Sequence, residues 1–342
     1  AVSVLLAGVG LLCSEQIMTA LKTPPDALEI AVTYLNIYFY GLPFLFLYNI
    51  LSSLFNALGK SRIPLYFLIF SSLLNVVLDW YFVAVLHRGV PGAAYATFLA
   101  QGLSAVLSFG VFLLELRRIP ERSNGLFRFR ELRAMTRVAL PSILQQSTVS
   151  IGMMLVQSVV NGFGTQILAG FSAAARIESL CIVPMAAISN ALSSYTAQNI
   201  GASKMDRVRD GFRAGLKLVW MLCLPIVALY LLGGRMLVNI FMNEPSEAAM
   251  ASGVQFLRIV SPFYFLVSCK LVSDGVLRGA GLMKEFMAAT FTDLILRVGL
   301  AIGLSKVLGV TGVWCAWPIG WTIAMVLSVL FYRRGPWEKQ KA

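Results

Sequence analysis

Ten apolar stretches dominate the sequence, and each is long enough to cross a lipid bilayer as a helix. A spanning helix needs about 20 apolar residues, because the hydrocarbon layer is about 30 Å thick. The stretches run from 1 to 20, 34 to 58, 63 to 86, 92 to 114, 134 to 162, 166 to 196, 212 to 233, 255 to 277, 286 to 307 and 310 to 332. Because they do not alternate apolar with polar residues, they exclude a membrane β-barrel. The chain is therefore predicted to be an all-α polytopic membrane protein.

The charge distribution indicates how such a chain is oriented in the membrane. Only 13% of the residues are charged, against about 25% in soluble domains. The net charge is +12, but the basic residues gather in every second loop rather than on a soluble module, which argues against nucleic acid as a partner. These loops contain Lys60 and Arg62, residues 117–137, residues 204–217, Arg278 and Lys284, and residues 333–341. By the positive-inside rule, both ends of the chain are predicted to lie in the cytoplasm, with the plasma membrane as its location.

Catalytic chemistry is not indicated by the sequence. The five cysteines are dispersed through the apolar stretches without a C-x-x-C pair, so neither disulfides nor a zinc site is expected. His87 is the only histidine and lies in a predicted outer loop. Because no nucleophile and base pair or metal cluster is apparent, we expect neither an enzyme nor a bound cofactor.

An internal repeat divides the chain into two halves. Leu58-Gly59-Lys60 and Gly89-Val-Pro-Gly recur about 220 residues later as Ala280-Gly281-Leu282 and Gly309-Val-Thr-Gly. Such a repeat predicts two equivalent transmembrane halves, as in many secondary transporters. Thr23 and Asn243 are predicted to cap the first helix of each repeat unit.

The repeat also predicts the domain boundaries. We expect an N-terminal lobe of four helices at 1–116, a basic cytoplasmic linker at 117–133, a C-terminal lobe of six helices at 134–332 and a cytoplasmic tail at 333–342. Because the second lobe has six helices, the repeat predicts that the first lobe lacks about two helices at its N-terminus.

Polar side chains within the apolar stretches are the candidate functional groups. Asn75 lies about 18 Å along its helix from Ile63, and Asp79 lies one turn further, so both share a face. Thr97 and Asn49 are predicted at similar depths on the two neighbouring helices. An intramembrane carboxylate is costly and is a functional site by default. One carboxylate, two amides and one hydroxyl suit Na⁺, or a proton held by the carboxylate.

The polar motifs resemble those of a known transporter family. The run Leu74-Asn-Val-Val-Leu-Asp79 lies between Asn56-Ala-Leu-Gly-Lys-Ser-Arg and Gly89-Val-Pro-Gly-Ala-Ala. The second half contributes Leu140-Pro141, Asn161-Gly-Phe-Gly164, Arg176-Ile177, Ala197-Gln-Asn-Ile-Gly-Ala-Ser-Lys204 and Val276-Leu-Arg-Gly-Ala-Gly281. Together these motifs resemble the multidrug and toxic compound extrusion (MATE) family over essentially the whole chain.

This resemblance implies a MATE/MOP-type two-lobe helical bundle, with ten transmembrane helices present of an expected twelve. It implies exchange of H⁺ or Na⁺ for amphipathic, often cationic drugs. Members with a DinF-like N-lobe motif bind the cation through five residues, and Asn75, Asp79, Thr97 and Asn49 match four of them. The fifth, an Asp on the first helix, would precede this chain. We expect the protein to act as a monomer.

The second half offers other polar groups. Lys270, Asp274, Asp293 and Arg297 form a candidate charged network, in which Lys270 with Asp274 and Asp293 with Arg297 are spaced for intrahelical ion pairs. The candidate substrate-binding residues are Gln145, Gln146, Met153, Gln157, Asn161, Arg176 and Glu178. Five of them, Gln145, Gln146, Met153, Gln157 and Asn161, lie in the stretch from 134 to 162. For these five, ordinary packing between helices is an equally good interpretation.

Two alternatives to a drug antiporter remain open at this point. A flippase for lipid-linked oligosaccharides shares the two-lobe architecture and would need a strongly cationic cavity, for which only Arg176, Lys270 and Arg297 are available within helices. A non-transporting membrane scaffold is the other alternative, but it leaves the cost of burying Asp79 unexplained.

Overall fold

The computed structural model describes residues 2–20, 25–118, 128–242 and 246–335, and this part of the chain is almost entirely helical. The first helices are α1 (Val2–Ala20), α2 (Pro25–Ala57), α3 (Arg62–Asp79), a π-helical turn (Trp80–Val85) and α4 (Gly89–Leu116). They are followed by α5 (Phe129–Asn161), α6 (Thr165–Gly201), α7 (Met205–Ile240), α8 (Glu247–Val260), a 3₁₀ turn (Ser261–Phe263), α9 (Tyr264–Gly279), α10 (Met283–Leu308) and α11 (Val310–Arg333).

The described residues contain ten helical segments that are long and apolar enough to span a membrane. α3 with its π turn makes one segment, and α8 with α9 makes another. These correspond to the ten predicted stretches, which confirms the all-α membrane fold. Several helices begin earlier than predicted, α2 at Pro25 and α8 at Glu247. Hydropathy marks only the apolar part of a helix, whereas backbone hydrogen bonding carries the helix on through polar residues.

The chain forms two compact units, Ala1–Leu126 and Phe127–Ala342. The predicted linker is partly described: α4 ends at Leu116 and α5 begins at Phe129, while residues 119–127 lie outside the described residues. Most of the predicted tail, residues 336–342, also lies outside them. So do both predicted caps, Thr23 and Asn243. The observed N-cap of α8 is Ser246, whose Oγ accepts a hydrogen bond of 3.2 Å from the Ala249 amide.

In the first unit, α4 packs against both α2 and α3, and α1 packs against α2. The contact of α4 with α2 includes two edge-to-face aromatic pairs, Phe55 with Phe112 and Phe44 with Phe98. Ser104 on α4 is fully buried and donates to the backbone carbonyl of Phe67 on α3 at 3.1 Å. Because α4 packs against both α2 and α3, these contacts fix the position of α3 along its axis relative to α2.

The backbone at the repeated glycines is alike in both halves. Gly59 and Gly281 have φ angles of 74° and 73°, which favour glycine because it lacks a Cβ. At both sites the next amide closes the end of the helix with a bond to a carbonyl five residues earlier, from Lys60 to Phe55 at 2.8 Å and from Leu282 to Leu277 at 2.9 Å. The two halves therefore end corresponding helices in the same way.

The second unit has a buried aromatic core around α6. The rings of Phe171, Phe256, Trp314 and Trp317 contact one another, and Phe171 stacks on Trp314 at 5.2 Å between centroids. α6 crosses α8 closely at Gly170 and Gly253: a Cβ on either glycine would lie under 3.0 Å from backbone of the other helix. This contact needs two residues without side chains, as is common between membrane helices.

Several prolines lie within the membrane-spanning segments, where a missing backbone amide can bend a helix, and Pro43, Pro184 and Pro262 are three of them. Only at Pro262 does the α-helix give way, to the 3₁₀ turn between α8 and α9. Pro43 and Pro184 lie within α2 and α6, which the structure describes as continuous helices. A missing amide removes one hydrogen bond, but it does not by itself break a helix whose neighbours hold it in place.

Candidate functional site

Asp79 is the last residue of α3 in the first unit. Its carboxylate is half-buried, and Oδ1 is inaccessible to solvent with no hydrogen-bond partner among the described residues. Asn75 is one turn earlier on the same face, as the spacing predicts. An orphaned carboxylate oxygen in an apolar unit is unfavourable unless a proton or a cation binds there.

Asn75 connects Asp79 to α4. In one amide orientation, Nδ2 of Asn75 donates to Oγ1 of Thr97 at 3.3 Å. In the opposite orientation, which satisfies both ends of the amide, Nδ2 donates to Oδ2 of Asp79 at 3.3 Å and the oxygen accepts from the Thr97 amide at 3.3 Å. The hydroxyl of Thr97 donates to the Ala93 carbonyl at 3.1 Å. The structure therefore brings three of the four predicted cation ligands together.

A π-helical turn, Trp80–Val85, follows Asp79 directly, and no pattern in the sequence predicts it. Within and after this turn, the backbone hydrogen bonds join residues that are five or six positions apart instead of four. The Leu86 amide donates to the Tyr81 carbonyl at 2.9 Å, and the Arg88 amide donates to the Phe82 carbonyl at 3.0 Å. Such turns are rare in proteins, and those that occur are often found at functional sites. Asp79 thus lies where the helix changes its geometry.

A small cavity lies between α2 and α4 in the same unit. Its volume is about 20 Å³, and Thr97 lies on its wall with Tyr34, Tyr38 and Gln101. A cavity of this size holds about one water molecule. Thr97 therefore contacts both the Asn75 amide and a space large enough for about one water molecule.

Asn49 does not join this group, which is a correction to the sequence interpretation. Its side chain is exposed, and its amide donates to the Leu45 carbonyl of its own helix at 2.8 Å. Depth along a helix was predicted from residue counting, but counting leaves the rotation of α2 relative to α3 undetermined. Asn36 on α2 was missed: its Oδ1 is buried without a partner among the described residues.

The second unit contains two separate buried ion pairs. Lys270 Nζ lies 2.6 Å from Asp274 Oδ2, and the hydroxyl of Ser328 on α11 donates to Asp274 Oδ1 at 2.7 Å. Arg297 Nη2 lies 3.1 Å from Asp293 Oδ2 on α10. Both pairs have the predicted spacing of four residues. The contact with Ser328 could not be predicted, because it joins helices 54 residues apart in sequence.

The surroundings of the second pair differ from those of the first. Asp293 Oδ1 is buried and has no partner in the part of the chain that the structure describes, whereas both oxygens of Asp274 are hydrogen bonded. The guanidinium of Arg297 lies over the Trp317 ring, 5.8 Å from its centroid, and its Nη1 is 3.8 Å from the sulfur of Met153.

The seven predicted substrate residues do not form one surface in the second unit. Gln146, Gln157, Asn161 and Arg176 are exposed, Gln145 and Met153 are half-buried, and Glu178 is buried. Arg176 and Glu178 are two residues apart on α6, so they point to opposite sides of the helix. Glu178 is therefore turned to the interior of the unit, whereas Arg176 is turned away from it.

Comparisons with known proteins agree with this fold and with the sequence motifs. The model of the MatE family matches residues 1–81 and 141–302. The chain is 32% identical, over 97% of its length and 74% of the relative's, to "Probable multidrug resistance protein YpnP" of Bacillus subtilis (strain 168).

Solved structures of MATE transporters have the same fold. One, described as the crystal structure of MATE in the bent conformation, superposes with a TM-score of 0.87 at 25% identity, covering 97% of this chain and 74% of that one. Another, an outward-facing multidrug resistance MATE family transporter of the MOP superfamily, gives a TM-score of 0.85 at 25% identity, covering 97% and 76%. The chain therefore belongs to the MatE family, a family of membrane transporters and not of enzymes.

Proposed function

We propose that the protein is a secondary active multidrug efflux transporter that exchanges H⁺ or Na⁺ for amphipathic, often cationic drugs. The observation that carries this proposal is the unpartnered, buried Oδ1 of Asp79 beside Asn75 and Thr97. The names of the relatives, which include multidrug resistance proteins, support drugs as the substrate class.

The proposed coupling site consists of Asp79, Asn75 and Thr97. A proton on the carboxylate, or Na⁺ against it, removes the net negative charge of this group. Because the π turn begins at the next residue, the occupied and empty states of Asp79 are expected to favour different shapes of the outer end of α3. Exchange then requires that the ion and the drug prefer different conformations of the protein.

The substrate surface is proposed on exposed polar groups of α5 and α6. Gln146, Gln157, Asn161 and Arg176 are accessible, and Met153 adds an adaptable apolar group. We place the protein in the plasma membrane as a monomer, with both ends of the chain cytoplasmic. Its lobes are proposed at 1–116 and 134–332, joined by the basic linker.

Of the three cations considered above for a flippase cavity, two are already paired, which disfavours an oligosaccharide flippase. Lys270 is held by Asp274 and Arg297 by Asp293, so neither is free to bind a pyrophosphate. Arg176 alone is exposed. An antiporter with an acidic coupling site fits these contacts better.

The test is ion-coupled transport of a fluorescent organic cation by the purified protein in liposomes, driven by either a pH or a Na⁺ gradient. We expect Asp79→Asn to abolish gradient-driven transport, while the matched control Asp206→Asn, an exposed acid at the start of α7, leaves it unchanged. The gradient that drives wild-type transport identifies the ion. Coupled transport in Asp79→Asn at the wild-type rate would disprove the proposal.

A further inference from the structure

Few basic residues are predicted near the membrane surface opposite the basic linker, and two of them line one cavity. The sequence places Lys22, Arg88, Arg235, Arg258 and Lys306 near this surface. Arg235 lies near the end of α7, and Arg258 lies in the last turn of α8. Because membrane proteins place fewer cations on this side than on the cytoplasmic side, two arginines at one cavity favour an anionic ligand there.

The cavity runs along α8 and has a volume of about 420 Å³. This volume lies within the roughly 300–1,000 Å³ that is typical of small-molecule sites. Arg235 and Glu247 lie together at one end of the cavity, and Arg258 lies at the other. Glu247 and Arg258 are separated by about 16 Å along the helix axis, given a rise of about 1.5 Å per residue. The cavity is therefore long enough for a phosphate group and the glycerol attached to it.

Contacts with α11 indicate the depth of this cavity in the membrane. Gln255, which lies on the cavity wall, donates through Nε2 to Oγ1 of Thr311 at 2.9 Å. Thr311 follows the turn at Gly309, where α10 ends and α11 begins. Arg258 lies about 4.5 Å deeper along α8 than Gln255. Because a long arginine side chain can extend its charged end towards the membrane surface, the guanidinium can reach the layer of lipid headgroups.

The charges that line the cavity do not cancel. Nη2 of Arg235 lies 3.2 Å from Oε1 of Glu247 and 3.1 Å from Oε2, so these two side chains neutralise each other. Arg258 is exposed, and its guanidinium makes neither an ion pair nor a hydrogen bond within the described ranges. The cavity therefore has a net positive charge, which Arg258 carries. A guanidinium is well suited to phosphate, because it can donate two parallel hydrogen bonds to its oxygens.

This cavity is separate from the proposed substrate surface. Gly253 of α8 faces α6, where it crosses Gly170 closely. Ala251, Gln255 and Arg258 lie on the opposite side of α8, because successive residues turn by about 100° around a helix with 3.6 residues per turn. The proposed substrate residues lie on α5 and α6. A ligand in this cavity is therefore expected to bind independently of the drug.

Apolar side chains beside the two arginines favour a lipid over a soluble phosphate. Met250 and Ile259 line the cavity together with the charged groups. On α7, Met236 lies in the space that adjoins Arg235, and Leu232 lies one turn earlier. Leu232 is 90% exposed and Met236 is 71% exposed. Such large apolar side chains beside a charged cavity suit the acyl chains of a lipid whose headgroup is bound there.

We propose that this cavity binds the headgroup of an anionic glycerophospholipid of the phosphatidylglycerol class. Arg258 donates to the phosphate oxygens, Arg235 provides a second guanidinium at the far end of the cavity, and the acyl chains lie against the exposed apolar side chains of α7. The ligand is selected by charge, because one phosphodiester neutralises the cavity. The site is independent of the proposed ion and drug exchange, since none of the residues of that exchange lines it.

Photocrosslinking of the wild-type protein in phosphatidylcholine liposomes tests the proposal. The probe is a trace of phosphatidylglycerol with a diazirine near its glycerol backbone, and labelled peptides are quantified by mass spectrometry. We expect it to label residues 229–259 at least about fivefold more than phosphatidylcholine with the same diazirine. An excess of soluble glycerol phosphate should leave the labelling unchanged. Equal labelling by both lipids would indicate ordinary lipid contact, and displacement by glycerol phosphate would indicate a soluble anion; either result overturns the proposal.

Two substitutions with opposite expected effects separate charge from packing. Arg258→Gln should weaken the apparent affinity for the phosphatidylglycerol probe about tenfold, because it removes the net charge and its hydrogen bonds to phosphate. Glu247→Gln should strengthen this affinity, because it leaves both arginines uncompensated. The control is Arg88→Gln, at an exposed arginine near the same membrane surface, and it should change the affinity by less than about twofold. Wild-type affinity in Arg258→Gln, or weaker binding in Glu247→Gln, would overturn the proposal.

Discussion

The ion pair between Lys270 and Asp274 predicts a large and specific loss of stability when one partner is removed. Lys270→Met keeps a side chain of similar length but leaves the Asp274 carboxylate, 3% exposed, with Ser328 as its remaining close donor. Breaking a buried pair in this way costs about 3–5 kcal/mol. Ser328→Ala, which removes one hydrogen bond to a charged group, is expected to cost about 1.5–3 kcal/mol.

The double variant Lys270→Met with Asp274→Leu separates two quantities: the penalty for leaving the Asp274 carboxylate unpaired, and the net contribution of the intact ion pair to the free energy of unfolding. Because it leaves no buried charge at this site, we expect it to be more stable than Lys270→Met alone. The assay is reversible unfolding of the purified protein in mixed detergent micelles with increasing SDS, followed by tryptophan fluorescence. Lys284→Met, at an exposed lysine near the start of α10, is the control and is expected to change stability by less than about 0.5 kcal/mol.

Two results would refute this reasoning. If Lys270→Met acted only through packing, the stability loss of the double variant would equal the sum of the losses of its two single substitutions, and no stability would be recovered. A loss below about 1 kcal/mol in Lys270→Met would show that Asp274 is solvated or protonated in the folded protein.

Two further predictions concern the helix contact in the second unit and the coupling site in the first. Gly253→Ala places a Cβ 2.8 Å from the Gly170 carbonyl oxygen and should lower the free energy of unfolding by about 1–3 kcal/mol in the same assay. The control Gly303→Ala, with open space around it, should leave stability unchanged. Equal effects of the two substitutions would contradict the close crossing of α6 and α8. Thr97→Val removes a polar contact worth about 1.4 kcal/mol and should therefore weaken the affinity for the coupling ion about tenfold, as measured from the ion dependence of transport. The control Asn49→Leu should weaken this affinity by less than about twofold.

The coupling site shows how far residue spacing can be used. Asn75 and Asp79 share a face because four residues make about one helical turn, and this holds for any helix. Thr97 was placed at the same depth by counting from the outer loop, and its backbone amide and hydroxyl do reach Asn75. Asn49 was placed by the same counting and points elsewhere, because the packing of α2 against α4 sets the rotation of α2.

The charged network of the second unit shows a similar limit. The pairs Lys270 with Asp274 and Asp293 with Arg297 follow from a spacing of four residues on one helix. Their burial does not, since an identical spacing on the surface gives exposed pairs. The bond from Ser328 to Asp274 joins α11 to α9 and has no local signature in the sequence.

The sequence by itself determined the number of membrane spans, the family and the identity of the polar residues at its motifs. These follow from local quantities: apolar length, positive charge in loops, and spacing along a helix. The tertiary structure alone decided the π turn after Asp79, the exposure of Asn49, the bond from Ser328 to Asp274 and the burial of Glu178. Each depends on how helices rotate and pack against one another, and residues distant in the chain supply those contacts.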